Sequence, residues 1–271
     1  AEPLRIHALV FRNAMDKIFS CMVYSNISPT ILAGTSTIST DIAGNFAQQL
    51  EKRLECTVIY HTMPSANLSL FSESADIGTV RRIGGRMAQL ISSEVRRSRF
   101  GSMGKSFAYN LPVNLPIRKE FTLPESAKVI GSMKYASQIK DIKSVDIDLS
   151  DKRIMFERAL CFAKAANHSG FNSEKQELKA LRLDTLMLLY LPCNLLSQTA
   201  DSICRIMPQT VLLSTCLDGQ QSAIFPELEM EKGGWHAATS IYDEGAYKGL
   251  VSSVNSIISS TFPRIFRKRI K

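Results

Sequence analysis

Residue types that can carry catalysis occur in this sequence, but not at catalytic spacings. The four histidines show no spacing that would place two on one helix face, and no Cys/His pair has zinc-site spacing. Cys161 and His168 lie too far apart along a helix for a nucleophile to contact its base. Residues 101–106 lack the first glycine of a phosphate-binding loop, because Arg99 occupies that position. We therefore predict no catalytic residue, no metal site and no cofactor.

Positive charge is the strongest chemical feature of the sequence. The net charge of +8 comes from 33 basic and 25 acidic residues, and the excess is concentrated in two segments. Residues 81–105 hold seven Lys/Arg against Glu94 alone, and residues 263–271 hold five with no acid. Localised charge of this kind attracts polyanions. The predicted anion-binding residues are Arg81, Arg82, Arg86, Arg96, Arg97, Arg99, Lys105, Arg264, Arg267, Lys268, Arg269 and Lys271.

Bulky apolar residues could add a protein contact. Phe262, Ile265 and Phe266 alternate with the basic residues near the end of the chain, a pattern that can insert at an interface or pack on a neighbour. Trp235 could anchor a partner, because exposed tryptophan is enriched at interaction hot spots; burial in the core is the alternative. We predict that these four residues form an interface.

The composition is typical of a folded protein with one or two cores. Of the 271 residues, 45% are hydrophobic and 21% are charged. The longest apolar run, Leu186–Leu191, is much shorter than the roughly 20 residues that span a membrane. The six cysteines are widely spaced in apolar surroundings, which favours reduced thiols. We expect no secretion and an intracellular location, in the cytoplasm or nucleus, or inside the virion if the protein is viral.

Hydrophobic periodicity in the first hundred residues predicts both strands and helices. Segments 4–11 and 18–25 should pair as a hairpin around a turn at 13–16. A helix is expected over 41–55, begun by Ser39 or Thr40, and a strand follows over 57–63. A second helix is expected over 77–98, weakened by the pair at 84 and 85, which are both glycine.

After a segment rich in glycine and proline, the rest of the chain again contains both strand and helix patterns. Residues 100–127 are expected to be an irregular connector between an N-terminal domain, 1–99, and a C-terminal domain, 128–271. The predicted strands of this domain are 142–149, 186–191 and 210–215, and the predicted helices are 151–167, 173–183, 195–206 and 247–262. The sequence therefore predicts an α+β fold of mixed or antiparallel sheets that could form a β-sandwich, with about five or six helices.

One stretch allows a comparison with a known family. Residues 28–63 form a strand, a Ser/Thr-rich loop, a helix and a second strand, and this order resembles the small proteasome assembly chaperones. The resemblance implies a non-enzymatic β-sandwich with helices that dimerises and docks on proteasome α subunits.

These patterns favour a non-enzymatic structural or assembly protein. We predict a homo-oligomer that binds an anionic surface, either an anionic lipid leaflet or nucleic acid, together with another protein of the same assembly. Viral matrix proteins and nucleoproteins share this combination of modest size and regional basicity. Two alternatives stay open: an assembly chaperone or adaptor with an acidic protein partner, and an enzyme whose site is dispersed along the sequence.

Overall fold

A computed structural model of the chain describes residues 5–32, 36, 38–65, 76–102, 104–118, 173–206, 209–214, 223–228 and 240–261. In chain order the elements are β1 (Ile6–Arg12), β2 (Ile18–Ser25), α1 (Asp41–Leu54), β3 (Thr57–Thr62), α2 (Ile77–Arg97), β4 (Ser106–Pro116), β5 (Ser173–Leu183), β6 (Leu186–Leu191), β7 (Asn194–Leu195), α3 (Ser197–Ile206), β8 (Thr210–Ser214), β9 (Ala223–Ile224) and α4 (Glu244–Thr261).

The first sheet has the strand order β1-β2-β3 and is covered on one face by two helices. β1 pairs antiparallel with β2, which confirms the predicted hairpin. β3 pairs parallel with β2, and α1 provides the crossover that a parallel pair requires. Cys21, Val23 and Val58 lie in one core cluster with residues of α1 and α2, among them Phe46 and Val80. Both helices therefore pack against this face of the sheet.

The second sheet has the strand order β4-β5-β6-β8 and is also covered by helices on one face. β4, β5 and β6 pair antiparallel, and β6 pairs parallel with β8. Leu178, Leu189 and Leu212 form a core cluster with Ile203 of α3 and Leu250 of α4. β7 and β9 form a separate two-stranded parallel pair.

The two sheets pack on each other through their remaining faces. Because side chains alternate along a strand, Met22 and Tyr24 point away from the helices that Cys21 and Val23 contact. Tyr24 of β2 and Met63, which directly follows β3, share a buried cluster with Leu188, Val211 and Leu213 of the second sheet. The described residues therefore form four layers, in the order helices, sheet, sheet, helices.

The α+β class with mixed and antiparallel sheets is confirmed, and the helix content needs correction. The described residues hold four helices, whereas five or six were predicted. The predicted helix over 173–183 is wrong, because these residues form β5. Leu178 and Ala180 are buried while Lys179 between them is exposed, which is the two-residue period of a strand. Pairing with β4 and β6 outweighs the helix propensity of this segment.

The chain passes from the first sheet to the second within the predicted connector. Residues 106–116, in that connector, form β4, an edge strand of the second sheet. An edge strand tolerates Pro112 and Pro116, which have no backbone N–H to donate, because only one of its two sides is paired. The division into domains 1–99 and 128–271 stays a prediction. The predicted strand 142–149 and helix 151–167 lie outside the described residues.

The described residues bear on two predictions, one that no segment spans a membrane and one that the cysteines are reduced. No helix among them combines the length and the apolarity needed to cross a membrane. Cys21, Cys56, Cys193 and Cys204 form no disulfide there. Cys161 and Cys216 lie outside the described part.

Candidate functional site

Loops that follow β2, β3 and β6 meet at one edge of the two sheets. The Ser65 backbone N–H, after β3, donates a 3.1 Å hydrogen bond to Asn194 Oδ1, after β6. The Met63 N–H donates to the carbonyl of Ser25, the last residue of β2, at 2.7 Å. Ligand and catalytic groups of α/β proteins collect at the carboxyl ends of parallel strands. This edge is therefore the candidate site.

An ion pair fixes the same edge to the outer helix layer. The Arg5 guanidinium donates to both carboxylate oxygens of Asp201 in α3, with Nη2 lying 2.6 Å from Oδ2. The Arg5 N–H donates to Asn26 Oδ1 at 2.7 Å, and the Asn26 N–H donates to the Arg5 carbonyl at 3.2 Å. A bidentate pair of this kind constrains geometry as well as charge. It joins the start of β1, the loop after β2 and α3.

His61 is the candidate functional residue at this edge. It lies next to the last residue of β3 and pairs in register with Tyr24, next to the last residue of β2. The two rings stack with their centroids 5.4 Å apart and an angle of 17° between their planes. His61 Nε2 is buried and has no hydrogen-bond partner among the described residues. An unpaired buried polar atom costs about 1–3 kcal/mol. Arg12 Nε, Asn45 Oδ1, Thr210 Oγ1 and Thr261 Oγ1 are also buried without a partner among the described residues, so His61 is distinguished by its chemistry and its position at this edge.

The surroundings keep His61 neutral. Burial lowers the pKa of His61 below its ordinary value of 6.5. A neutral imidazole has one nitrogen lone pair, which can accept a proton or bind a metal ion. The neutral form of His61 therefore persists to a lower pH than that of an exposed histidine.

A second histidine, His7, lies in line with Tyr24 and His61 across the sheet. His7 of β1 pairs in register with Tyr24, so His7, Tyr24 and His61 form a row over three strands. Partial burial and then the nearby Arg5 lower the pKa of His7. Burial raises the pKa of Tyr24, whose hydroxyl donates to Met22 Sδ at 3.6 Å. The row lies on the sheet face that carries Met22 and Tyr24, the face that packs on the second sheet.

Three of the described cysteines, Cys21, Cys193 and Cys204, do not offer a reactive thiol. Burial raises the pKa of Cys21 to about 12 and that of Cys204 to about 11. Burial also raises the pKa of Cys193, which is 1% exposed. Because the thiolate is the nucleophilic form, these residues are inert near neutral pH. Within the described ranges, no group of three or more His, Cys, Asp or Glu residues is arranged to hold a metal ion.

The predicted anion-binding residues of the first segment lie elsewhere. The exposed arginines of α2 are Arg81, Arg82, Arg86, Arg96 and Arg97. Arg99 and Lys105 follow the helix and are also exposed. α2 covers the sheet face opposite to the row of His7, Tyr24 and His61, so the structure does not bring these cations to His61. Anion binding by these residues stays a prediction.

The other predicted site residues fall outside the described part of the chain. They are the basic residues Arg264, Arg267, Lys268, Arg269 and Lys271, and the interface residues Trp235, Phe262, Ile265 and Phe266.

The fold is similar to that of neutral ceramidases. Neither a protein-family model nor a curated protein sequence matches the chain. The crystal structure of neutral ceramidase from Pseudomonas aeruginosa matches with a TM-score of 0.63 and 14% identity, over 92% of this chain and 45% of that one. A structure described as ceramidase complexed with C2 matches with a TM-score of 0.60 and 12% identity, over 92% and 46%. This chain therefore spans slightly less than half the length of these structures.

This comparison corrects the functional prediction. The non-enzymatic assembly protein, whether matrix-like, nucleoprotein-like or chaperone-like, is wrong, because the fold is shared with hydrolases. The prediction of a viral, nucleic-acid-binding protein is wrong on the same grounds. Sequence reasoning missed His61 because the histidines were weighed only for zinc and helix spacings. The available signal was a histidine at the end of a predicted strand, three residues before Pro64.

Proposed function

We propose that this chain is a hydrolase of amide bonds in N-acylated lipids, with its reactive site at the carboxyl ends of β2, β3 and β6. The observation that carries the proposal is the fold, which is similar to neutral ceramidase over 92% of this chain. His61 adds chemical support, because it lies at that edge, is neutral and has an unpaired ring nitrogen. Since identity is 14%, the substrate named for the ceramidases is transferred only as part of this proposal.

The proposed reaction uses His61 as general base. His61 Nε2 takes a proton from water while the water oxygen bonds to the acyl carbon. The carbon–nitrogen bond then breaks, and the proton passes from His61 to the departing amine nitrogen. The products are a fatty acid and an amine. Stacking on Tyr24 holds the imidazole ring in place during both proton transfers.

The test is hydrolysis of a fluorescent N-acylsphingosine by the purified chain and by its His61→Gln variant. Loss of a general base lowers the rate by about 10²–10⁴-fold. We expect a decrease of that size in kcat/KM for His61→Gln, measured by chromatographic separation of the released fatty acid.

The matched control is His7→Gln, which removes a histidine from the same row but on β1. We expect its kcat/KM to stay within about threefold of the unmodified chain, because β2 lies between His7 and His61 and keeps His7 away from the proposed base. Equal rates for the unmodified chain and His61→Gln would exclude His61 as the base. An unmodified chain that releases no fatty acid from any N-acylated lipid would overturn the hydrolase proposal itself.

We also infer a reducing compartment, the cytoplasm or the nucleus. Four described cysteines without a disulfide support this inference, since secreted proteins of the oxidising compartments usually pair such residues.

A further inference from the structure

The side of α2 that faces away from the first sheet carries a dense set of exposed basic residues. From Asp76 to Lys105, seven basic residues stand against two acidic ones, Asp76 and Glu94, so this part of the chain has a net charge of +5. Five of the seven are exposed arginines of the helix itself, and we call them the basic face of α2. They are Arg81, Arg82, Arg86, Arg96 and Arg97.

The two acidic residues neutralise little of this charge. The carboxylate of Asp76 caps the helix, because it accepts hydrogen bonds from the N–H and the hydroxyl of Thr79. Glu94 lies 3.7 Å from Arg97, but the two side chains are 70% and 78% exposed, so water screens their attraction. The other arginines of the basic face have no carboxylate within ion-pair distance among the described residues.

A leucine is exposed within the basic face. Leu90 lies four residues after Arg86 and seven before Arg97, and these spacings place the three side chains on one side of the helix. Leu90 is 50% exposed, whereas Val80 and Met87 on the opposite side of α2 are packed in the core. Basic residues around an exposed apolar side chain are typical of helices that lie in a membrane interface. The phosphates of a nucleic acid would attract the arginines but leave Leu90 in water.

α2 begins at the edge that carries the candidate site. The ring centroid of Phe100, three residues after the helix, lies 3.5 Å from the guanidinium carbon of Arg12, the last residue of β1. Arg12 pairs with Ile18, the first residue of β2, so α2 ends near the amino end of β2. Gly84, near the start of α2, lies against Asn45, near the start of α1, which follows the carboxyl end of β2. A flat surface along α2 would therefore reach the edge of the candidate site.

We propose that the basic face of α2 binds the surface of an anionic lipid membrane. The arginines contact the phosphate and carboxylate groups of the lipids, and Leu90 inserts at the boundary between headgroups and acyl chains. The choice of a lipid partner rests in part on the proposed function, because an N-acylated lipid substrate would be presented in a membrane. Binding itself requires no hydrolysis, so the two proposals are tested separately.

The test is sedimentation of the full chain with vesicles of two compositions. One contains phosphatidylcholine and phosphatidylserine in equal amounts, and the other contains phosphatidylcholine alone. We expect at least about tenfold weaker binding to the neutral vesicles, and a loss of binding to the anionic ones as salt is added. Neither composition includes an N-acylated lipid, so the measurement does not depend on hydrolysis.

Removal of charge from the basic face should weaken this binding. The variant combines Arg82→Gln, Arg86→Gln and Arg96→Gln, three exposed positions at which glutamine leaves the fold intact. Each basic residue beside an anionic membrane strengthens binding about fivefold, so the three replacements together should weaken it about a hundredfold.

The matched control removes the same charge from the other half of the chain. It combines Lys175→Gln, Lys179→Gln and Arg205→Gln, which are exposed positions of β5 and α3. We expect its binding to anionic vesicles to stay within about threefold of the unmodified chain, because these residues lie outside the basic face.

Leu90 distinguishes a membrane from a nucleic acid. Leu90→Asn removes apolar contact and should weaken vesicle binding about three- to tenfold. Leu228→Asn replaces another exposed leucine, outside α2, and should leave vesicle binding within about twofold.

Several results would contradict the proposal. Equal binding to the two kinds of vesicle, or unchanged binding of the triple arginine variant, would exclude an anionic membrane as the partner of the basic face. A single-stranded oligonucleotide that binds more tightly than anionic vesicles, and binds Leu90→Asn equally well, would identify a nucleic acid as the partner instead. Charge-dependent vesicle binding by a chain that releases no fatty acid would support this inference and overturn only the hydrolase.

Discussion

His61 illustrates how a single residue couples the candidate chemistry to the stability of the fold. Its ring is stacked on Tyr24 and its Nε2 is buried without a partner among the described residues. The folded chain therefore holds the neutral form of His61, whereas an unfolded chain would let the ring take up a proton at pH 6.5. The burial that keeps His61 neutral therefore makes the fold sensitive to acid.

The sign of this sensitivity follows from the lowered pKa. Above pH 6.5 both states of the chain carry a neutral His61, and its contribution to stability is complete. As the pH falls below 6.5, the unfolded chain binds a proton that the folded chain does not. The free energy of unfolding therefore decreases until the pH passes the lowered pKa of the folded state. We expect His61→Gln to make this decrease shallower, as measured by urea denaturation at a series of pH values.

His7→Gln provides the comparison for this measurement. Burial and the nearby Arg5 lower the pKa of His7 in the same direction. His7→Gln should therefore also make the decrease shallower. An unaltered dependence in His61→Gln would show that His61 is protonated equally in both states.

The close contact between α1 and α2 depends on one of two adjacent glycines. A Cβ at Gly84 would lie 2.6 Å from Asn45 Oδ1 and 3.0 Å from the Phe46 backbone nitrogen of α1. A Cβ at Gly85 would meet no atom within 4 Å. Sequence alone treats both glycines as weak points in a helix. The structure assigns one of them to helix packing and leaves the other without such a role.

The two alanine variants should therefore change stability in opposite directions. We expect Gly85→Ala to raise the free energy of unfolding by about 0.5–1 kcal/mol, because alanine loses less backbone entropy. We expect Gly84→Ala to lower it by about 1–3 kcal/mol, because α1 and α2 must move apart. Urea denaturation of both variants measures the difference. A stabilising Gly84→Ala would contradict the close contact between the helices.

Local patterns predicted some elements well and failed where distant pairing decides. The bounds of β2 and α2 agree with the sequence within a residue or two, because their apolar residues have clear periods. β5 was mistaken for a helix, since its Glu, Lys, Gln and Leu residues are good helix formers and only β4 and β6 reveal the strand. The stacking of His61 on Tyr24 could not be predicted either, because it depends on the register between β2 and β3.

At the scale of the whole molecule, three kinds of contact join the halves of the described chain. Tyr24 and Leu188 lie in the buried cluster between the sheets. The Arg5–Asp201 ion pair and the hydrogen bond from the Ser65 N–H to Asn194 Oδ1 connect the two halves at the edge that carries the candidate site. Because the site draws on loops of both sheets, its geometry requires that the sheets stay together.

These contacts predict that both sheets unfold as one cooperative unit. Leu189 of β6 is fully buried against the outer helices. It does not belong to the cluster that lies between the two sheets. We expect Leu189→Ala to cost about 2–5 kcal/mol, and hydrogen exchange should show this loss in β2 as well as in β8. Ser256→Ala, on the exposed side of α4, should change protection by less than about 0.5 kcal/mol. Unchanged protection of β2 in Leu189→Ala would mean that the two halves unfold separately, as the predicted division at residues 100–127 implies.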